Sequence, residues 1–179
     1  MNRPTNQALS MNTNRVSLTL IDGPTLLIEF GGLRILTDPT FDEPRVFHSS
    51  GATERKLNSP PMSADSLLPI DAILLSHDQH LDNLDPAGRA FLPKAGRVIS
   101  TVGAAERMGG NTEGLASWSV TKMPLPEGRT LIITAVPARH GPVGIEALTG
   151  HVTGSFSRSR VQRTCMFPEI RSGFLALRR

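Results

Sequence analysis

The sequence predicts a layered α/β fold on a mixed sheet, and three observations carry that expectation. A meander of alternating strands opens the periodic part of the chain, short apolar runs bounded by polar residues follow, and those runs then alternate with short capped helices. Residues 1–14 are polar and read as a flexible leader, with no apolar stretch of the kind a secretory signal carries. In VSLTLIDGPTLLIEFGGLRILTDPTF, Val16, Leu18 and Leu20 alternate with polar partners. Asp22-Gly23-Pro24 and Gly31-Gly32 supply the turns, so three strands are expected. Residues 39–66 hold many turn formers and little periodicity, which predicts a long loop, of a length that is usually functional or disordered.

DAILLS is a short apolar run, as a strand buried on both faces requires. Asp85-Pro86 reads as an N-cap and a proline in the first turn of a short helix, PAGRAFL, closed by Pro93 and Gly96. RVIST is the next strand. GAAERMGG is a second helix with its glycines as the stop, and ASWSVTKM and TLIITAVPA are further strands joined by PLPEG. From residue 155 to 179 the chain is rich in Arg and Ser without a period, and the expectation is a basic irregular tail.

Composition narrows the functions. A length of 179 residues, 39% apolar and 20% charged, fits one globular domain. One cysteine, Cys165, excludes an internal disulfide framework and suits a reducing cytoplasm, where it reads as an incidental thiol. No stretch approaches the ~18 consecutive apolar residues of a membrane span. The pI of 9.7 is a property of the tail. Residues 155–179 carry six Arg against Glu169, a charge of +5, and subtracting this from the total of +3 leaves −2 for residues 1–154. Tyrosine is absent and the few aromatics do not interleave with the basic residues, which argues against a nucleic-acid surface. No Gly-x-Ser-x-Gly elbow points to a serine hydrolase, and the glycine pairs 31–32 and 109–110 lack the pattern of a nucleotide loop.

The chemistry concentrates in SHDQHLDNLD, residues 76–85, directly after AILL. His77 stands at the C-terminal end of a buried strand, where α/β folds build their sites. His80 follows, then Asp82, Asn83 and Asp85, and imidazole and carboxylate are the donors a borderline cation such as zinc takes. Asp78 and Asp85 are candidates to orient the imidazoles. TLIITAVPARHGP repeats the design, with His140 just beyond another strand end. Arg45 and His48, in the 39–66 loop, are candidates for substrate contacts.

With these segments on the page, residues 15–154 resemble the metallo-β-lactamase superfamily of hydrolases, in the branch similar to the ascorbate-phosphate lactonases. The resemblance rests on LLIEFGGLRILTDPTF, ILLSHDQHLDNLD, VISTVGAAERMGG and TAVPARHGP. It implies an αββα sandwich, represented mainly by its N-terminal half, and hydrolysis of an ester, lactone, amide or phosphodiester by a metal-activated water. The family's His-x-His-x-Asp-His motif falls on His77 onward. Gln79 then occupies the second histidine's place, His80 comes one position late, Asp82 stands for the aspartate and Asn83 for the last histidine.

The resemblance thus implies metal ligands His77, His80, Asp82 and His140, with Asp82 also the candidate catalytic base. Asp38, Asp78, Gln79, Asn83 and Asp85 become the residues supporting them. Zinc is the implied cofactor, one ion or two, with manganese and iron as alternatives. The family's remaining ligands have no counterpart after Gly154, as in a truncated or frameshifted reading frame. His151 comes too early to supply one and is expected in a strand or on the surface. Such a chain leaves sheet edges uncovered, so either a second copy pairs with it or it is marginally stable. The expected partner is a small-molecule substrate, with neither nucleic acid nor membrane. The competing expectation is a truncated, metal-binding but catalytically inactive domain acting through protein contacts.

Overall fold

The computed structural model describes residues 15–49, 52–141, 144, 150–159 and 164–167. Two sheets face each other. The larger has six strands in the order β1 (Val16–Asp22), β2 (Thr25–Phe30), β3 (Leu33–Thr37), β6 (Ala72–Leu74), β7 (Val98–Ser100), β8 (Thr112–Gly114). The first three pair antiparallel and the rest run parallel, giving the mixed sheet that the sequence predicts. The second sheet runs β12 (Thr164–Phe167), β11 (Thr153–Ser159), β10 (Thr130–Pro137), β9 (Val120–Pro124), all antiparallel. A hairpin, β4 (Arg45–Ser49) with β5 (Ala52–Lys56), stands apart as its own small sheet.

The two-residue period of the strands divides the core in two. Leu26, Ile28, Ile35, Ala72, Leu74 and Ile99 point toward the second sheet and pack on Met123, Leu131, Ile133 and Ala135. The alternate residues Leu27, Leu36, Ile73, Leu75 and Val98 point the other way, onto Leu84, Phe91 and Leu92 beside the short helix α1 (Pro86–Phe91). That split explains why AILL is continuously apolar: both of its faces are dry. The second helix, α2 (Val102–Met108), is capped by Thr101, whose Oγ1 accepts from Ala104 N at 3.1 Å, and stops at Gly109 with φ 61°. Among the described residues no helix is long and apolar enough to cross a membrane.

Two expectations fail. Residues 39–66 are not one long loop, because β4, β5 and a 3-10 turn at Ala64–Leu67 lie within them. Neither strand of the hairpin shows an apolar alternation, since among the described side chains of β4 only Phe47 is buried. Nor are the described residues of the expected tail irregular: 155–159 complete β11 and 164–167 form β12. Ser157 and Ser159 fill the buried side of β11 where a strand usually carries larger apolar groups, so the usual signal is missing. The leader at 1–14, with 160–163 and 168–179 of the expected tail, lies outside the described residues.

Candidate metal centre and its cavity

The parallel strands β6 and β7 end at the same edge, and the chain leaving β6 carries Ser76 and His77 there. The second sheet delivers the third histidine: Thr153 N, at the start of β11, donates to Ser76 O at 3.0 Å and ties the two sheets together at this edge. Gly150, with φ 77°, sits in the left-handed region that favours glycine, and the Gln79 amide packs where its Cβ would be. His77, His80 and His140 meet as a result. Their ring centroids are 4.9, 5.1 and 4.8 Å apart, and one ligand atom from each lies within 4.8 Å of the other two.

His77 is fully buried and His80 nearly so, while His140 is half-buried. Burial first, then the neighbouring His80 and His140, push the His77 imidazole down to about 3, against a smaller opposing effect of Asp78. His80 is lowered by burial and by His140, with Asp82 opposing. Both are therefore neutral at physiological pH, which is the form that binds a cation. His77 Nε2 lies 3.1 Å from His80 Nδ1, and His77 Nδ1 lies 2.9 Å from Ser76 Oγ. The tautomer donating from Nδ1 to Ser76 leaves Nε2 with its lone pair facing the cluster.

A buried polar chain holds that serine. Asn83 Nδ2 donates to Ser76 Oγ at 3.0 Å and to Asp38 Oδ2 at 3.2 Å, while Asp38 Oδ1 accepts from Ser76 N at 2.7 Å. Asp38 has φ 26°, a left-handed backbone unusual for a residue with a Cβ. It is held there by Asp38 N donating to Leu74 O at 3.2 Å and Thr25 Oγ1 donating to Asp38 O at 2.7 Å. Asp38 and Asn83 thus support His77 through Ser76, a residue to which the sequence reading gave no role.

The remaining expected positions divide differently. Asp82 stands outside the imidazole cluster, on the exposed wall of the neighbouring cavity. Asp85 does not orient an imidazole. Its Oδ1 caps α1 by accepting from Gly88 N at 2.7 Å, and its Oδ2 accepts from Asp42 N at 2.7 Å, so helix capping claimed the carboxylate. Asp78 does not orient one either, because Arg107 takes its carboxylate. Burial pushes the Asp78 carboxyl up, but the hydrogen bonds and charge of Arg107, with the charge of Arg89 and a backbone hydrogen bond, together hold it below the usual carboxylate range. Gln79 is exposed and packs against Gly150. His151 is an exposed residue just before β11.

Beside the cluster opens a cavity of about 800 Å³, and His140 and Asp82 lie in its wall. The β4–β5 hairpin contributes to the same wall. Arg45 pairs with Lys56 and Phe47 with Glu54 across the two strands, and all four line the cavity. Lys56 Nζ fixes the hairpin to the body through Asp22 Oδ2 at 2.7 Å and Thr40 O at 3.2 Å. Glu54 Oε2 is buried without a hydrogen-bond partner among the described residues, and burial and Asp82 raise its carboxyl while His140 opposes. Arg45 bonds Asp42 at 2.6 Å, whereas His48 bonds Thr53 on the hairpin and does not line the cavity. Glu54 and Lys56 carried no periodic signal that would have singled them out.

A six-stranded mixed sheet facing a second antiparallel sheet, with histidines from both meeting at one edge, is the metallo-β-lactamase fold, and the chain has that fold. Among solved structures it is similar to the isothiocyanate hydrolase from Delia radicum gut bacteria, with 23% identity and a TM-score of 0.65, covering 83% of this chain and 60% of that one. It is also similar to a protein described as a possible metal-dependent hydrolase from Veillonella parvula DSM 2008, with 19% identity and a TM-score of 0.64 over 84% of this chain and 61% of the other. Among curated proteins it is 29% identical over 146 residues to N-acyl-phosphatidylethanolamine-hydrolyzing phospholipase D 1 of Caenorhabditis elegans, covering 74% of this chain and 39% of that protein. No protein-family model matches the chain. The chain therefore spans about two fifths of that curated relative and three fifths of the solved structures.

Proposed function

We propose that the chain is a metal-dependent hydrolase, with a divalent cation held by His77, His80 and His140 and a small substrate in the adjoining cavity. The observation that carries this reading is the convergence of three imidazoles from two separate sheets, two of them kept neutral by burial. That donor set fits a borderline cation, zinc first, with manganese or iron as alternatives. When bound, such an ion supplies Lewis acidity and lowers the pKa of a water toward about 7.

The chain's own residues supply the rest. Asn83 and Asp38 hold Ser76, whose Oγ fixes the orientation of the His77 ring through Nδ1. Asp82, exposed in the cavity wall beside the cluster, accepts the proton of the attacking water. Arg45 and Lys56 place positive charge in the cavity wall, where a developing oxyanion or a phosphoryl group is stabilised. The volume suits a small ester, lactone or phosphoester, and walls of both signs suit a small molecule better than a nucleic acid. The relatives named above support hydrolysis as the reaction class.

One observation favours the second reading, a metal-binding domain without turnover: three histidines meet, but among the described residues no carboxylate completes their cluster. The two separate in one experiment. Metal content of the purified chain is measured beside a panel of ester, lactone and phosphodiester substrates, with His140→Ala as the control. Metal uptake with turnover, both lost in H140A, supports the hydrolase. Metal uptake without turnover supports the second reading, and a chain that takes up no metal overturns both.

A further inference from the structure

Asp78 lies between the two loop histidines and is the charged residue nearest to His77 in sequence, yet its carboxylate serves a different structure. Arg107, in the last turn of α2, donates from Nε to Asp78 Oδ2 at 2.9 Å and from Nη2 to Oδ1 at 2.5 Å. A two-pronged guanidinium fixes the orientation of a carboxylate as well as its position. Arg89, on α1, donates from Nη2 to the Asp78 carbonyl at 2.8 Å. One buried residue is thus held by its side chain and its backbone from two different helices.

The flanking residues have anchors of their own. Ser76 O accepts from Thr153 N, and His80 O accepts from Asn83 N and Leu84 N at 3.2 and 3.0 Å. The two arginines anchor the part in between. Gly103, one turn before Arg107, leaves room for the clamp, since a Cβ there would lie 3.2 Å from Arg107 Nη1.

We propose that Arg107, with Arg89, is a positioning residue of the metal centre: the two guanidiniums lock the Asp78 segment and so set the separation of the His77 and His80 imidazoles. This rests on the metal-centre reading above. The clamp touches neither substrate nor ion and acts wholly through Asp78.

The test is cobalt and zinc titration of the full chain, read by affinity and by the visible absorption of bound cobalt. The variants are R107A, R107K, D78A, D78A/R107A and K94A. R107A weakens affinity about 10–100-fold and changes the cobalt spectrum, as loss of an outer support does. R107K, with a single prong, falls between R107A and the wild type. D78A and D78A/R107A agree within about twofold, because the arginine acts through that carboxylate. K94A breaks an exposed ion pair with Asp65 and leaves affinity and spectrum unchanged. Folded R107A and R107K chains with wild-type affinity and spectrum overturn the proposal, as do losses that add in the double variant. If R107A does not fold, R107K and R89A carry the same comparison. A wild-type chain that takes up no cobalt or zinc overturns the metal centre itself, whereas unperturbed arginine variants of a metal-binding chain overturn only the clamp.

Discussion

Acidifying the metal-free chain isolates the cost of burying His77. In the folded chain the His77 imidazole is pushed from 6.5 down to about 3. The unfolded chain therefore takes up a proton near pH 6.5 that the folded chain refuses until about 3. The stability this group contributes is complete above the unfolded value and is lost as the pH falls below it. Each unit costs about 1.4 kcal/mol, so His77 alone removes about 2 kcal/mol between about pH 8 and about pH 5, and about 4 kcal/mol by pH 3.

His80, also lowered, adds to the loss. Glu54, raised, opposes it: its contribution is present below the unfolded value and lost as the pH rises through the folded one. Asp78 is lowered from 3.8, so its contribution, complete above that value, is lost only at the acid end of this range, as the pH falls through 3.8. The assay is urea denaturation in chelator at several pH values, for the wild type and for His77→Asn. The wild-type slope should exceed that of H77N by close to one proton between about pH 6 and about pH 4. Identical slopes would show that His77 is neither buried nor crowded as described, and would refute the reasoning.

Other perturbations probe the supports. Asp38→Ala removes the acceptor for Ser76 N and Asn83 and should cost about 2–3 kcal/mol by urea denaturation, with weakened metal binding by titration. Gly88→Ala drives a Cβ into the Pro39 carbonyl oxygen and should lower the melting temperature sharply, whereas Gly110→Ala meets nothing nearby and should cost only its backbone strain. Ile73→Ala, at a fully buried position on β6, should cost about 2–5 kcal/mol. Zinc at about a hundred times its dissociation constant should stabilise the chain by about 2.7 kcal/mol, and chelator should reverse this in calorimetry.

Much of this was legible in the sequence because burial on both faces leaves a simple pattern. AILL and RVIST are strands with dry faces, Asp85 and Thr101 are caps with the expected acceptors, and the histidines follow strand ends. Elements whose purpose is to face a cavity or a partner strand were hidden. The inner wall of the β4–β5 hairpin is Arg45, Phe47, Glu54 and Lys56, so a polar cavity replaced the apolar stripe that marks a strand. β11 buries serines. Asp78 looked like a partner for its neighbouring imidazoles, but a guanidinium 29 residues away made the better match. No local pattern announces such a pairing. Asp85 carried both a capping signal and a ligand-support signal, and the nearer donors of α1 won.

The central claim, that three imidazoles from two sheets close on one cation, is tested most directly by anomalous scattering at the zinc edge from crystals grown with zinc. The account predicts a single strong peak bounded by His77, His80 and His140, absent in H140A. A peak elsewhere, or no peak in crystals whose histidines are well ordered, would contradict it.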